Sequence, residues 1–323
     1  MTVAADIIAL GEPLIEFVAT VQSDGKAPLW RQSFGGDTSN AIIAAARQGA
    51  RTGYLTAVGN DMFGASLLEL WRREGVATTG VVTRQDDPTG AYFVQPHASG
   101  RSFTYARRGS AASLYTPSDL PHHIISQARI LHVSALSQAI SPTMRDAVCE
   151  AAKIATGCGT AISYDTNLRL NLWDLETARG AILEFLPYAT YIFPSDDEAE
   201  ILTGLTDPDK IIDYFLGFSP ELVILKRGEK GTIVATPDSR FSVAACPVTA
   251  VDSTGAGDSY AGAFLAWYLK TGDAALAGRA AAIVAAGTVS GLGAIDPIPP
   301  LRSVLSSLET VAIDLEAEFR QGQ

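Results

Sequence analysis

An α/β fold, with a mostly parallel sheet covered on both faces and a small β appendage, is predicted by three features of the chain. Short apolar runs alternate with helix-spaced segments, regularly so from Ile130 onward. Two glycine-bearing turns, Gly35-Gly36 and Gly255-Ala256-Gly257, stand where a strand or loop passes into a helix. Alternating runs at Leu14 to Phe34 and Ala91 to Arg107 interrupt the pattern and read as exposed strands.

The elements follow in order. Asp6 to Leu10 is a buried strand that stops at Gly11-Glu12-Pro13. Leu14 to Ala19 and Leu29 to Phe34 flank a polar turn, and Gly35-Gly36-Asp37-Thr38-Ser39-Asn40 then opens an Ala-rich helix ended by Gly49. Thr52 to Val58 is a strand, and Gly59-Asn60-Asp61 leads into a helix through Trp71 that Gly75 ends. Ala91 to Pro96 and Ser102 to Arg107, joined by residues 97–101, form a hairpin. Period two puts Phe103, Tyr105 and Arg107 on one face and Arg108 on the other. Strands are expected at Ile130 to Ser134, Ala161 to Tyr164, Tyr191 to Phe193, Glu221 to Lys226 and Thr232 to Ala235. Helices are expected from Ser141-Pro142 to about Ala155, over Glu176 to Leu186, and in the acidic segment after Pro194. An Ala-rich helix (Ala274 to Ser290), the loop Gly291-Leu292-Gly293-Ala294 and an amphipathic helix from Leu301 to about Phe319 complete the chain. No internal repeat or linker is evident.

Composition narrows the function classes. Of 323 residues, 47% are hydrophobic and 18% charged, a balance expected of a compact enzyme. A formal net charge of −11 makes nucleic acid and anionic membrane poor partners. It also requires that any anionic ligand find positive charge concentrated at its site. Cys149, Cys158 and Cys246 lie in no metal or redox spacing, which points to a reducing compartment. The histidines include no HxxH pair, which argues against structural zinc. Met1 to Leu10 has no basic leader and reads as a first strand, and the run Ala274 to Val289 is broken by Arg279 and too short to span a bilayer. A cytoplasmic protein is expected.

The segment Val251-Asp252-Ser253-Thr254-Gly255-Ala256-Gly257-Asp258 is the chemical centre of the chain. Glycines at a helix start let backbone N–H groups converge, and the positive helix end adds to them, which suits a phosphate or a developing anion. Asp258, on the first turn, stands ready to accept a proton from a hydroxyl beside that anion. Taken alone, a G-x-G-D stretch serves equally as a tight turn with a capping carboxylate. The amino-terminal position also favours the carboxylate anion, so a weak base is expected there. There is no GxxxxGK[ST], no HRD or DFG set and no GxGxxG after the first strand, which excludes P-loop, protein-kinase and Rossmann readings.

Gly35-Gly36 with Asn40 near the start, and Asp252 to Asp258 near the end, together resemble the two signatures of the ribokinase-like (PfkB) carbohydrate kinases, and the resemblance covers essentially the whole chain. It implies a ribokinase-like three-layer α/β/α core over residues 1–11, 35–88 and 109–323, with a β-sheet lid at 12–34 and 89–108. Within that family, Gly36-Asp37-Thr38 with Asn40, and Tyr105-Ala106-Arg107 followed by Ser110-Ala111-Ala112, are similar to the 2-keto-3-deoxygluconate kinases. Asp165-Thr166-Asn167-Leu168-Arg169 with Leu172-Trp173 is shared with fructokinases and decides less.

By that resemblance, the substrate site comprises Gly35, Gly36, Asp37, Asn40, Tyr92, Tyr105, Arg107, Arg169 and Asp258. The two arginines would take the carboxylate of a sugar acid, for which the planar guanidinium is suited. The competing readings are a solvated strand residue for Arg107 and an ion-pair partner of Asp165 for Arg169. ATP and Mg2+ are implied, and a monovalent cation such as K+ is admitted. Ser195, Lys226, Gly228, Gly231, Gly255, Gly257 and Gly291 would bind the nucleotide, with Gly293 and Ala294 near the adenine, and Glu198 would order the metal. Many family members carry Asn-x-x-Glu where this chain has Ser195-Asp196-Asp197-Glu198. The implied reaction is in-line transfer to O6, with Asp258 as base and Gly255, Ala256 and Gly257 as the anion hole. A homo-oligomer built through the lid is a further implication. Fructokinase activity, and a catalytically silent sugar-acid sensor, are the competing readings; a sensor has no use for Asp258.

Overall fold

The computed structural model describes residues 4–20, 27–97 and 100–309. A nine-stranded sheet has the order β13-β12-β11-β10-β9-β8-β1-β4-β5. Its strands are β1 (Ile7–Leu10), β4 (Thr52–Gly59), β5 (Val76–Arg84), β8 (Ile130–Ser134), β9 (Ala161–Asp165), β10 (Tyr191–Phe193), β11 (Leu222–Lys226), β12 (Thr232–Ala235) and β13 (Arg240–Val243). From β11 to β5 all neighbours run parallel, and only β12 and β13 turn back antiparallel. The helices are α1 (Asp37–Arg47), α2 (Met62–Arg73), α3 (His122–Ile125), α4 (Ala135–Ala139), α5 (Pro142–Cys158), α6 (Leu175–Phe185), α7 (Asp196–Thr203), α8 (Pro208–Leu216), α9 (Ala256–Thr271) and α10 (Ala274–Val289). Residues 301–309 are also helical; the rest of the expected last helix lies outside the described residues, as does the polar turn at 21–26.

Strand alternation divides the core into two layers. Ile7, Ala9, Leu222 and Ile224 pack with α1, α2, α9 and α10 on one side of the sheet. Ile8, Leu10, Val223 and Leu225 pack with α5 to α8 on the other. This is the three-layer arrangement expected from the alternation of strand and helix.

A second sheet has the order β3-β2-β6-β7, from β2 (Leu14–Thr20), β3 (Leu29–Gly35), β6 (Ala91–His97) and β7 (Gly100–Ala106). The hairpin pairs His97 with Gly100, so its strands extend further than the alternation predicts; the connecting residues 98 and 99 lie outside the described residues. One face carries Phe17, Phe93 and Trp30 in edge and stacked contacts and rests on Phe63 of α2. The other face turns Tyr92, Phe103 and Tyr105 toward the carboxyl ends of the large sheet.

β5, α8 and the short helices α3 and α4 are absent from the sequence-based reading. β5 is an edge strand of mixed Val and Thr with one Gly, and its residues alternate only loosely between buried and exposed. α8 begins at Pro208 after the Asp207 cap and is a short amphipathic helix beside β11.

Candidate active site

The loop from β13 into α9 is fixed at both ends. Val251 N–H donates to Val289 O at 2.7 Å, and Asp252 Oδ1 accepts from the Thr254 N–H and hydroxyl at 3.1 and 2.7 Å. The other oxygen of Asp252 accepts from Gly293 N–H at 3.1 Å, tying this turn to the Gly291–Ala294 loop. Gly255 is the amino-terminal cap of α9, with φ of 76°, and a Cβ there would lie 2.7 Å from the Ala294 methyl. Only glycine meets both demands. No side chain caps α9, so the amides of Gly257 and Asp258 begin a helix that itself offers them no acceptor. The turn therefore presents N–H groups and a positive helix end to the cleft.

Asp258 is brought to α1 by close helix packing. Gly262, one turn further along α9, approaches Ala41 so closely that a Cβ would meet the Ala41 carbonyl oxygen at 1.9 Å. The contact lets Asn40 Nδ2 donate to Asp258 Oδ2 at 2.9 Å across 218 residues of chain. Asn40 Oδ1 is buried with no hydrogen-bond donor among the described residues. Burial pushes the Asp258 carboxyl up to about 7, with Asp37 adding like-charge repulsion and Asn40 opposing both. The helix terminus favours the anion, whereas burial acts in the other direction and raises the carboxyl.

Asp37 is also raised by burial, although its oxygens are well supplied. Oδ1 accepts from Thr38 N–H at 2.8 Å, and Oδ2 accepts from Ser134 Oγ at 2.5 Å and Asn167 Nδ2 at 2.9 Å. Ser134 ends β8, and Asn167 lies just beyond β9.

Along the carboxyl ends of β9, β10 and β11 the charges pair. Lys226 Nζ donates to Asp165 Oδ2 at 2.6 Å. Burial opposes the lysine charge, but Asp165 and Glu198 outweigh it and raise its pKa. Arg169 does not pair with Asp165; its Nη1 donates to Glu198 Oε1 at 2.9 Å. Burial and the nearby Asp165 raise Glu198, against Lys226 and Arg169. Ser195 is the amino-terminal cap residue of α7, and its side chain makes no capping bond.

The small sheet closes the other side. Tyr92 and Tyr105 stack at 5.8 Å, and Phe103 lies 6.5 Å from each. Tyr92 donates to Glu16 Oε1 at 2.7 Å. Arg107, just past β7, sits 5.6 Å over the Tyr105 ring and is paired with the fully buried Glu12. The strand ends at Ala106, one residue short of the expected Arg107, and Arg108 lies exposed in the turn that follows, beyond the reach of strand alternation.

These groups surround one cleft of about 570 Å³. Gly36, Asp37, Asn40, Tyr92, Tyr105 and Arg107 reach it from the amino-terminal half and the small sheet. Arg169, Ser195, Glu198, Lys226, Gly255, Gly257 and Asp258 reach it from the carboxyl-terminal half. Gly35, Ala256, Gly228, Gly231 and Gly291 do not line it. Gly35 lies behind Tyr92, Ala256 is the first residue of α9, Gly228 and Gly231 bracket the turn after β11, and Gly291 packs on Pro297. Glu12, Asp165 and Phe103 also line the cleft. Glu12 could have been found from its place at the end of the first buried strand.

A family model described as pfkB family carbohydrate kinase matches residues 4–301. The chain belongs to this family. It is a carbohydrate kinase with a ribokinase-like fold. A 2-dehydro-3-deoxygluconokinase of Thermoproteus tenax is 35% identical to it over 270 residues, 82% of each chain. Fructokinase-2 of Solanum habrochaites is 36% identical over 264 residues, 80% of each chain. An E. coli structure holding ATP and Mg2+, provisionally assigned as a ribokinase II, aligns with a TM-score of 0.88 at 27% identity, over 95% of this chain and 99% of that one. No helix of the kinase, among the described residues, is long and apolar enough to cross a membrane.

Proposed function

We propose that this kinase transfers the γ-phosphoryl group of ATP to O6 of 2-keto-3-deoxygluconate, the substance also called 2-dehydro-3-deoxygluconate. One observation carries the reading: Arg107 and Arg169 enter the same cleft as Asp258 and the Gly255–Gly257 turn, in a chain of net charge −11. Two guanidinium groups in one cleft suit a sugar carboxylate, whereas a neutral sugar offers them no anion.

In this reading Asp37, Asn40, Tyr92 and Tyr105 hold the sugar, with the free Oδ1 of Asn40 accepting from a hydroxyl. Gly36 lets the chain pass close beneath it, and Gly35 leaves room behind Tyr92 for that ring. Lys226 and the Gly257 and Asp258 amides face the phosphates, and Ser195, Gly228, Gly231 and Gly291 extend the nucleotide side. The O6 oxygen forms a bond to phosphorus as the bond to the β-bridging oxygen breaks, and ADP leaves with that electron pair. Asp258 takes the O6 proton, and the turn's amides steady the charge on the transferred group.

Magnesium fits this site in a restricted sense. Among the described residues no cluster of three or more His, Cys, Asp or Glu could cage a metal. Glu198 offers hard carboxylate oxygen at the cleft, as required for an ion carried mainly by phosphate and water. Glu198 would hold it through that shell, and the ion would supply charge neutralisation on the phosphates.

The base assignment predicts a pH profile. Because Asp258 must be ionised, kcat/KM should fall as pH drops through about 7. Asn40→Ala removes the bond that lowers this value, so the acidic limb should move to higher pH. Asp37 lies close enough that the limb belongs to the pair. A limb near 4, or one unmoved in Asn40→Ala, speaks against Asp258 as the base.

The small sheet is assigned as a lid over residues 12–34 and 89–108, which a second copy of the chain would meet in a homo-oligomer. Its own buried cluster comprises little more than Leu14, Tyr92 and Val94. Hydrogen exchange should therefore slow in β2, β6 and β7 when sugar acid and an ATP analogue are both bound. Unchanged exchange there removes the lid.

A fructokinase reading has its own support. The Solanum relative is as similar as the Thermoproteus one, and both arginines already face carboxylates, Glu12 and Glu198. An ADP-release assay over sugar acids, ketoses and nucleosides separates the two. A clear preference for fructose replaces the sugar-acid assignment. We place the reaction in the cytoplasm, where ATP and sugar acids meet.

A further inference from the structure

Glu12 has an unusual position in the cleft. It follows β1, its side chain is fully buried, and its partner Arg107 keeps only a tenth of its own side-chain surface exposed. Both line the cleft. The elements packed around Glu12 contribute polar or charged groups. Arg107 and Ser110 come from the segment after β7, with Ser110 Oγ 3.5 Å from Oε1. Asp37 on α1 acts as a like charge, and Tyr54 on β4, whose hydroxyl is held by Thr38 at 2.9 Å, feels the same carboxylate. Arg107 is the sole cation among these groups.

We infer that Glu12 is the resident counter-ion of Arg107, and that it takes up a proton from solvent when a substrate carboxylate claims the guanidinium. The inference rests on the sugar-acid reading of this cleft. Its physical basis is charge balance in a dry site. A second carboxylate on Arg107 leaves two anions sharing one cation next to Asp37, and a buried carboxylate without its own cation is neutralised more cheaply by a proton than by water. Burial already pushes Glu12 up to about 7, with Arg107 opposing and Asp37 assisting. Weakening the Arg107 contact moves it higher still. Glu12 is thus a positioning residue: it holds the guanidinium against the Tyr105 ring and sets the pH range in which an anion can displace it. A neutral ketose leaves the pair intact and moves no proton at Glu12; any change at Asp258 is common to both sugars.

Calorimetric titration of the full chain with 2-keto-3-deoxygluconate, in buffers of different ionisation heat, reads the protons directly. At pH 8 the wild type should take up roughly half to one proton per bound sugar acid, and the uptake should vanish at pH 6, where Glu12 is already protonated. Affinity should fall about tenfold between pH 7 and 8.5. Glu12→Gln should abolish most of the uptake and flatten that pH dependence, whereas Glu12→Asp should retain both. Fructose should bind at pH 8 with less uptake than the sugar acid, by the share due to Glu12, since any contribution of Asp258 is common to both. If Glu12→Gln does not fold, the wild-type contrast between sugar acid and fructose decides. Tight sugar-acid binding without uptake, or equal uptake in Glu12→Gln, overturns the inference and leaves the sugar-acid reading standing. Binding of fructose but not of the sugar acid overturns both.

Discussion

Asp258→Asn should lose at least about a hundredfold in kcat, the low end for a positioned proton acceptor. The substitution is nearly isosteric and keeps the first turn of α9. Asn40 can still donate to the side-chain oxygen of the new amide, so the α1–α9 contact is not asked to rearrange. Sugar and ATP affinities should therefore change little, and the loss should sit in kcat rather than KM. Thermal stability should hold or rise, because burial makes the charged form of Asp258 costly at neutral pH. The pH profile supplies a second check: the acidic limb near 7 should disappear with the carboxylate. A folded variant that turns over near the wild-type rate means that the hydroxyl proton leaves by another route, and Asp258 then does no more than orient the substrate.

The core was legible because its signals are local. Buried parallel strands give short apolar runs, and glycines at helix ends give punctuation, so β1, β8, β9, β11 and the α9 turn all fall where periodicity puts them. β5 escaped because an edge strand need not be apolar; Gly80 there fits beneath Leu55, a requirement visible only once the neighbouring strand is placed. The candidate site divides in the same way. Asp258, Asn40, Arg107 and Arg169 carry a pattern that can be read along the chain. Their partners cannot be read so. Arg169 meets Glu198 and not Asp165, which Lys226 takes, and Arg107 meets Glu12 from 95 residues away. The direction of the Asp258 shift was likewise hidden. A helix terminus is a local fact and favours the anion, whereas burial between α1, α9 and the carboxyl ends of β9 and β11 is a property of the assembled fold.

Arg107→Ala tests the substrate class, and the Glu12 pair decides how the test must be run. If a carboxylate lies between Arg107 and Arg169, losing Arg107 should cost about 2–4 kcal/mol in kcat/KM with 2-keto-3-deoxygluconate, or roughly thirtyfold to a thousandfold. The same change with fructose should cost far less, since a ketose offers no anion. Removing the guanidinium, however, also leaves Glu12 buried beside Asp37 with no cation, and that penalty falls on every substrate alike. The double variant Glu12→Gln/Arg107→Ala removes it. In that background the ketose rate should recover toward wild type, while the sugar-acid rate stays low because its own partner is still missing. Arg108→Ala, in the exposed turn after β7 and outside the cleft lining, should leave the ratio of the two substrates unchanged. Should Arg107→Ala and the double variant depress both substrates equally, Arg107 serves the lid and not the carboxylate, and the ketose reading takes the place of the sugar acid.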